Sequence, residues 1–164
     1  IGKKDKQLKM VFEPSEIYRG YQVSIQLVRD KSSNYFPPVQ VSHSAEVHDL
    51  VKDKLENLDR EMMVVLLLNT KNQVVGVNEA AIGSIDSCVV SPREILKPAL
   101  LANARSIILV HNHPSGDPVP SSQDLDFTSK LQKAADLFSI DVLDHIVIGF
   151  DSYYSMTDEG LFWK

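Results

Sequence analysis

Between Tyr21 and Leu27 the side chains alternate apolar and polar, the period-two pattern of a strand with one buried face. A polar turn at 31–34 and the Pro37-Pro38 pair interrupt it. From Ser44 the period changes. Val47, Leu50, Val51, Leu55 and Leu58 fall on one stripe, which predicts a helix ending near Asn57. Residues 62–68 form an unbroken apolar run that includes the β-branched Val64 and Val65, short enough for a strand and apolar enough to be buried on both faces. With a turn at 69–72 and a second strand over 74–82 closed by Gly83, this segment predicts an antiparallel hairpin. Ser91-Pro92-Arg93-Glu94 then sets a cap residue before a proline at the first helical position. Ile95, Leu96, Ala99 and Leu100 carry the helix on to about Asn103.

The second half repeats the strand-to-helix change of period. Residues 106–110 are a fully apolar strand that runs straight into the polar, proline-rich stretch 111–120. Ser121 starts a helix whose inner stripe is expected to read Phe127, Leu131, Ala134 and Phe138, and a last buried strand is expected over 142–149. The 164 residues suit one domain. We divide them into an N-terminal tail and strand extension, 1–43, packed on a core domain, 44–164.

Composition narrows the function classes. A formal net charge of -5 argues against a phosphate-neutralising surface, so direct nucleic-acid binding is not expected, and Lys3, Lys4, Lys6 and Lys9 read as a short solvated tail. Cys88 is the only cysteine, which excludes an intrachain disulfide and a Cys-rich zinc ribbon. Any metal must therefore take histidine and carboxylate ligands. No apolar stretch approaches the ~20 residues that span a bilayer and no segment has the form of a signal peptide, so a cytoplasmic protein without a membrane partner is expected.

The chemistry gathers at the end of the 106–110 strand. His111 and His113 are two apart, so in extended backbone their side chains point the same way and can share one metal ion. Pro114 holds His113 extended, and the proline-rich loop limits the entropy lost in fixing both rings. Asp124 lies three residues before Phe127 and seven before Leu131, on the helix face turned towards the sheet. A carboxylate buried there costs several kcal/mol unless a cation compensates it. Two histidines and one carboxylate leave the fourth tetrahedral position of a zinc ion open, as in catalytic rather than structural sites, and zinc so held activates water near neutral pH. Such chemistry needs a base that is not a ligand. Glu61 heads the buried 62–68 strand, and if that strand runs antiparallel to 106–110, its start meets the histidine end of the other. Glu79 and Glu94 are the weaker alternatives, one inside a hairpin strand and one in a helix's first turn, where a negative charge is favoured in any case.

Each fragment alone also has a plain structural reading. Ser121-Ser122-Gln123-Asp124 is a capping-box pattern, and a His-x-His pair at a strand end can serve loop carbonyls. Cys88 reads as a small core residue, and Asp144-His145 as a hydrogen-bonded structural pair rather than a catalytic dyad. The joint spacing is more specific: His111-x-His113, seven residues, Ser121, two residues, Asp124, with a glutamate at the head of an earlier strand. This pattern resembles the JAMM motif throughout. Within that superfamily His111-Asn112-His113-Pro114-Ser115-Gly116, Ser91-Pro92-Arg93-Glu94 and Asp144-His145-Ile146 resemble the RadC-like branch of the JAB/JAMM (MPN) metalloproteases, over roughly 44–160.

The resemblance implies an α/β fold with a single mixed β-sheet flanked by helices, of the JAB/MPN, cytidine-deaminase-like type. It implies one Zn2+ per chain on His111, His113 and Asp124, Glu61 as general acid/base, and Ser121 donating to a developing oxyanion. The activity implied is that of a zinc metallopeptidase acting on a peptide or isopeptide substrate. The alternative is a non-catalytic protein- or DNA-associated binding module, DNA-repair-associated like the name of the branch, with a vestigial zinc site. Longer RadC-like chains resemble a helical DNA-binding-like module joined to this domain, whereas residues 12–41 here read as strand and loop. A zinc nucleobase deaminase is excluded, because its signature requires a Pro-Cys-x-x-Cys.

Overall fold

A computed structural model describes residues 39–83 and 90–161. The 21–27 strand, most of the 1–43 extension and Cys88 lie outside the described residues. The elements are α1 (Ser44–Leu55), β1 (Met62–Leu68), β2 (Val74–Ile82), α2 (Pro92–Leu101), β3 (Ser106–Asn112), α3 (Ser122–Asp136), β4 (Asp141–Ile148) and β5 (Tyr153–Ser155).

The strands form one sheet in the order β2-β1-β3-β4-β5. β1 pairs antiparallel with both β2 and β3, β3 pairs parallel with β4, and β4 pairs antiparallel with β5, so the sheet is mixed, as expected. The parallel β3–β4 pair cannot be joined by a tight turn, and α3 makes the crossover. All seven residues of β1 and all seven of β3 are buried, which explains why their apolar runs do not alternate.

Helices cover both faces. α1 lays Val47, Val51 and Leu55 on the face presented by Val64, Leu66, Val110, Ile146 and Ile148. α2 and α3 place Ile95, Leu96, Ala99, Leu131 and Ala135 against Met63, Val65, Leu67, Ile107 and Leu109 on the other. Residue parity along each strand therefore decides which helix layer a side chain meets. His111 follows Leu109 by two, and so faces α3.

Three sequence expectations change in detail. β3 runs two residues further than expected, because His111 continues the ladders to both β1 and β4 and Asn112 continues the one to β4. The buried stripe of α3 is Thr128, Leu131 and Ala135, and Phe138 is 52% exposed. Its helix ends at Asp136, and Ser139 turns the chain with a φ of 56°, so Phe138 never reaches the helix face that its spacing suggests. The three-residue β5 was not expected, being too short to show a period.

Candidate metal centre

The site lies where β3 ends and α3 begins. His111 is the partner of Met63 across the β1–β3 ladder, so β1 and β3 bring their chemistry to the same edge of the sheet. Glu61, two residues before Met63, falls on the same face of the sheet as His111 and His113. Asn112, between the histidines, holds this end of β1 in place. Its buried side-chain oxygen accepts from Met62 N at 2.9 Å and its Nδ2 donates to Arg60 O at 3.0 Å, one bond on each side of Glu61. On the other side of β1 the Glu61 carbonyl accepts from Gly83 N at 2.8 Å. Glu61 is thus set by its backbone, and its carboxylate is near enough to His113 to help raise that ring's pKa.

His111 and His113 bring their Nε2 atoms to 3.1 Å of one another. Asp124 completes the group: its Oδ1 is 3.4 Å from His111 Nε2 and its Oδ2 is 3.6 Å from His113 Nε2. Ligands of a tetrahedral zinc at ~2.0–2.1 Å from the metal stand ~3.3 Å apart, close to the histidine–histidine distance and to the distance from each ring to its nearer carboxylate oxygen, Oδ1 for His111 and Oδ2 for His113. Among the described residues, these three form the group of His, Cys, Asp or Glu side chains able to hold a metal ion. The other ring nitrogens are already committed. His113 Nδ1 donates to the carbonyl of Asp117 at 2.8 Å, which leaves its Nε2 for a cation, and His111 Nδ1 is 2.8 Å from His145 Nε2.

Electrostatics favour a cation at the same point. Burial pushes His111 down to about 4, so its imidazole is neutral, as a metal ligand must be. The Asp124 carboxylate holds His113 above its ordinary value despite partial burial. Burial alone would raise Asp124, but His113, His111 and Ser121 outweigh it and keep the carboxyl well below the usual range. The cluster is an anion and two imidazoles gathered around one point, an arrangement that a cation would compensate.

The capping-box reading of Ser121–Asp124 holds together with the ligand reading. Ser121 Oγ accepts from Asp124 N at 3.2 Å, while Asp124 Oδ2 accepts from Ser121 N at 2.7 Å and from Ser121 Oγ at 2.6 Å. Oδ2 serves the cap and Oδ1 faces His111. Ser121 stands beside the cluster as expected, with its proton directed at Asp124, so service to an oxyanion requires that proton to turn away from Oδ2.

The remaining candidates separate. Glu79 pairs with Lys54, and Glu79 and Glu94 line a shallow groove between β2 and α2 together with Lys97. Asp144 and His145 are no dyad: the Asp144 carboxylate accepts from His145 N, Ser155 Oγ and Thr157 N at 2.7, 2.6 and 3.0 Å, which ties β4 to β5 and the turn beyond. The His145 ring lies on the other face of β4 from Asp144, the face that carries His111, and meets that ring there. Sequence reasoning missed this contact and that of Thr128, whose Oγ1 is 2.6 Å from His145 Nδ1.

The loop after β3 is braced from β4. His113 N donates to Ile148 O, Phe150 N donates to Gly116 O, and Gly116 takes a φ of 83° with its Cα against the Phe150 ring. A Cβ on Gly149 would stand 2.3 Å from Gly116 O and 2.9 Å from Pro118 Cδ. Gly149→Ala is therefore expected to displace the His113 loop, lowering stability by about 1–3 kcal/mol, as overpacking does, and weakening metal uptake. Urea unfolding and metal titration of the variant would check both, and wild-type values in both would show that the loop gives way freely.

No helix among the described residues is long and apolar enough to cross a membrane. Relatives of the chain include UPF0758 proteins of Desulforamulus reducens, 50% identical over 116 residues (71% of this chain, 51% of that protein), and of Clostridium acetobutylicum, 41% identical over 133 residues (81% and 58%). A UPF0758 protein of Methanosarcina mazei is 43% identical over 124 residues, 76% of this chain and 54% of its own. The chain spans about half the length of the curated relatives it matches. Residues 41–161, well over half of the chain and all of the site just described, match the RadC-like JAB domain, and the chain belongs to that family.

Proposed function

We propose that this chain is a zinc-dependent peptidase or isopeptidase. The observation that carries the reading is the meeting of His111 Nε2, His113 Nε2 and the Asp124 carboxylate at tetrahedral spacing, with Glu61 on the same sheet face but outside the ligand set. Zinc held by these three residues would supply Lewis acidity for a carbonyl and make water nucleophilic near neutral pH. Glu61 takes the proton of the attacking water and returns it to the leaving amine, which requires the carboxylate to stand still beside the cluster. Asn112 and Gly83 provide that by fixing the backbone on either side of it. Ser121, once its hydroxyl turns from Asp124, has a proton to donate to the oxyanion that develops on the carbonyl.

The test is metal-dependent cleavage. Protein loaded with one equivalent of zinc is incubated with a proteome-derived peptide library, and new amino termini are counted by mass spectrometry. Cleavage that disappears on chelation and returns with zinc supports the reading. Equal product with and without metal, or none from a protein that holds stoichiometric zinc on both peptide and isopeptide libraries, would favour a zinc-stabilised binding module.

A further inference from the structure

Thr128 and His145 lie behind His111, on the side away from the cluster, and together they decide which of its nitrogens is free. Thr128 Oγ1 is 2.7 Å from the backbone carbonyl of Asp124, one turn earlier in α3. A carbonyl can only accept, so the hydroxyl proton of Thr128 lies in that bond. The same oxygen is 2.6 Å from His145 Nδ1, and having given its proton away it can only accept there, so His145 carries its proton on Nδ1. Both rings are fully buried, where an uncompensated charge is costly, so each is assigned one N–H and one lone pair, and the 2.8 Å contact between them holds a single proton. His145 Nε2 is then the lone pair, 2.8 Å from His111 Nδ1, and it accepts the proton of His111. What remains at His111 Nε2 is a lone pair directed at His113 and Asp124.

We propose that Thr128 and His145 are positioning residues: a one-way hydrogen-bond chain, Asp124 carbonyl to Thr128 to His145 to His111, locks His111 in the tautomer whose Nε2 is open to a metal. The chain begins and ends on the cluster itself, since the carbonyl that orients it and the carboxylate that shares the metal both belong to Asp124. The parallel β3–β4 register makes this possible. His145 is the partner of Leu109, which puts its ring two residues before the His111 position and on the same face of the sheet. The functional part of the proposal rests on His111 being a metal ligand, whereas the tautomer assignment does not.

The experiment is 15N-edited NMR of the metal-free protein with labelled histidine, followed by zinc titration, on wild type, Thr128→Val and Thr128→Ser. Val matches the shape of Thr without the hydroxyl, so folding of the helix is preserved. Wild type is expected to show His111 and His145 both protonated on Nδ1. In Thr128→Val the His145 Nδ1–H has no acceptor, and the Nε2–H tautomer becomes populated in both rings. Zinc affinity should fall 10- to 100-fold, the range expected for losing an outer partner of a ligating histidine, and Thr128→Ser should restore both the tautomer and the affinity. An Nε2–H tautomer at His111 in wild type, or a wild-type spectrum and zinc affinity in Thr128→Val, would overturn the proposal. Wild-type protein with the expected tautomers that takes up no zinc would support the relay and overturn the metal reading instead.

Discussion

Glu61→Gln is expected to abolish most turnover while leaving the metal in place. The residue lies at the head of β1, outside the three-ligand group, with its backbone carbonyl bonded to Gly83 and its neighbours Arg60 and Met62 bonded to Asn112. Gln has the same length and can keep the backbone arrangement unchanged, so zinc content should match wild type. Its amide cannot accept a proton from water, and hydrolysis should fall by the ~10²–10⁴-fold typical of losing general acid/base catalysis. Metal analysis and single-turnover cleavage of a library-derived peptide measure the two effects separately. Loss of zinc from Glu61→Gln would make Glu61 a ligand, and full turnover would assign the base elsewhere.

That Glu61 can be named from sequence follows from one step of topology. The run 62–68 is apolar at every position, as only a doubly buried strand requires, and a central strand with a neighbour ending in His-x-His has few places to go. Antiparallel pairing of β1 with β3 then puts Glu61 beside the histidines. The pattern of the helices was less informative. In α3 the line of apolar residues 127, 131, 134 and 138 competes with the line 124, 128, 131 and 135, and the second carries the buried residues Thr128, Leu131 and Ala135. Asp124, beside the two histidines, and Thr128, against the His145 ring, are polar, so the residues that line the candidate site weaken the hydrophobic signal of the face they occupy. The role of His145 could not be read at all without the sheet. Its neighbour Asp144 points to the other side of β4, and the proximity of His145 to His111 arises from a parallel register that no local spacing encodes.

The double duty of Asp124 gives the sharpest separation between structure and chemistry. Oδ2 accepts the two Ser121 bonds of the capping box, while Oδ1 is 3.4 Å from His111 Nε2. Asp124→Asn can present its amide oxygen to Ser121 N and keep the cap, yet it removes the negative charge that compensates a cation and holds His113 above its ordinary value. Asp124→Ala removes that return bond and the charge together, while the Ser121 hydroxyl still accepts from the backbone N–H at position 124. Both variants are expected to lose zinc far beyond the 10- to 100-fold cost of losing an outer partner, and with it all metal-dependent cleavage. They should differ in the metal-free state, where only Asp124→Ala gives up the return bond to Ser121 N, a hydrogen bond worth about 0.5–1.5 kcal/mol of stability. Zinc titration with a competing chelator and urea unfolding of the metal-free proteins would measure the two quantities. Variants that differ in stability as the capping box predicts, yet both bind zinc like wild type, would return Asp124 to a purely structural role, because the capping box says nothing of metal, whereas the ligand assignment requires both to lose it.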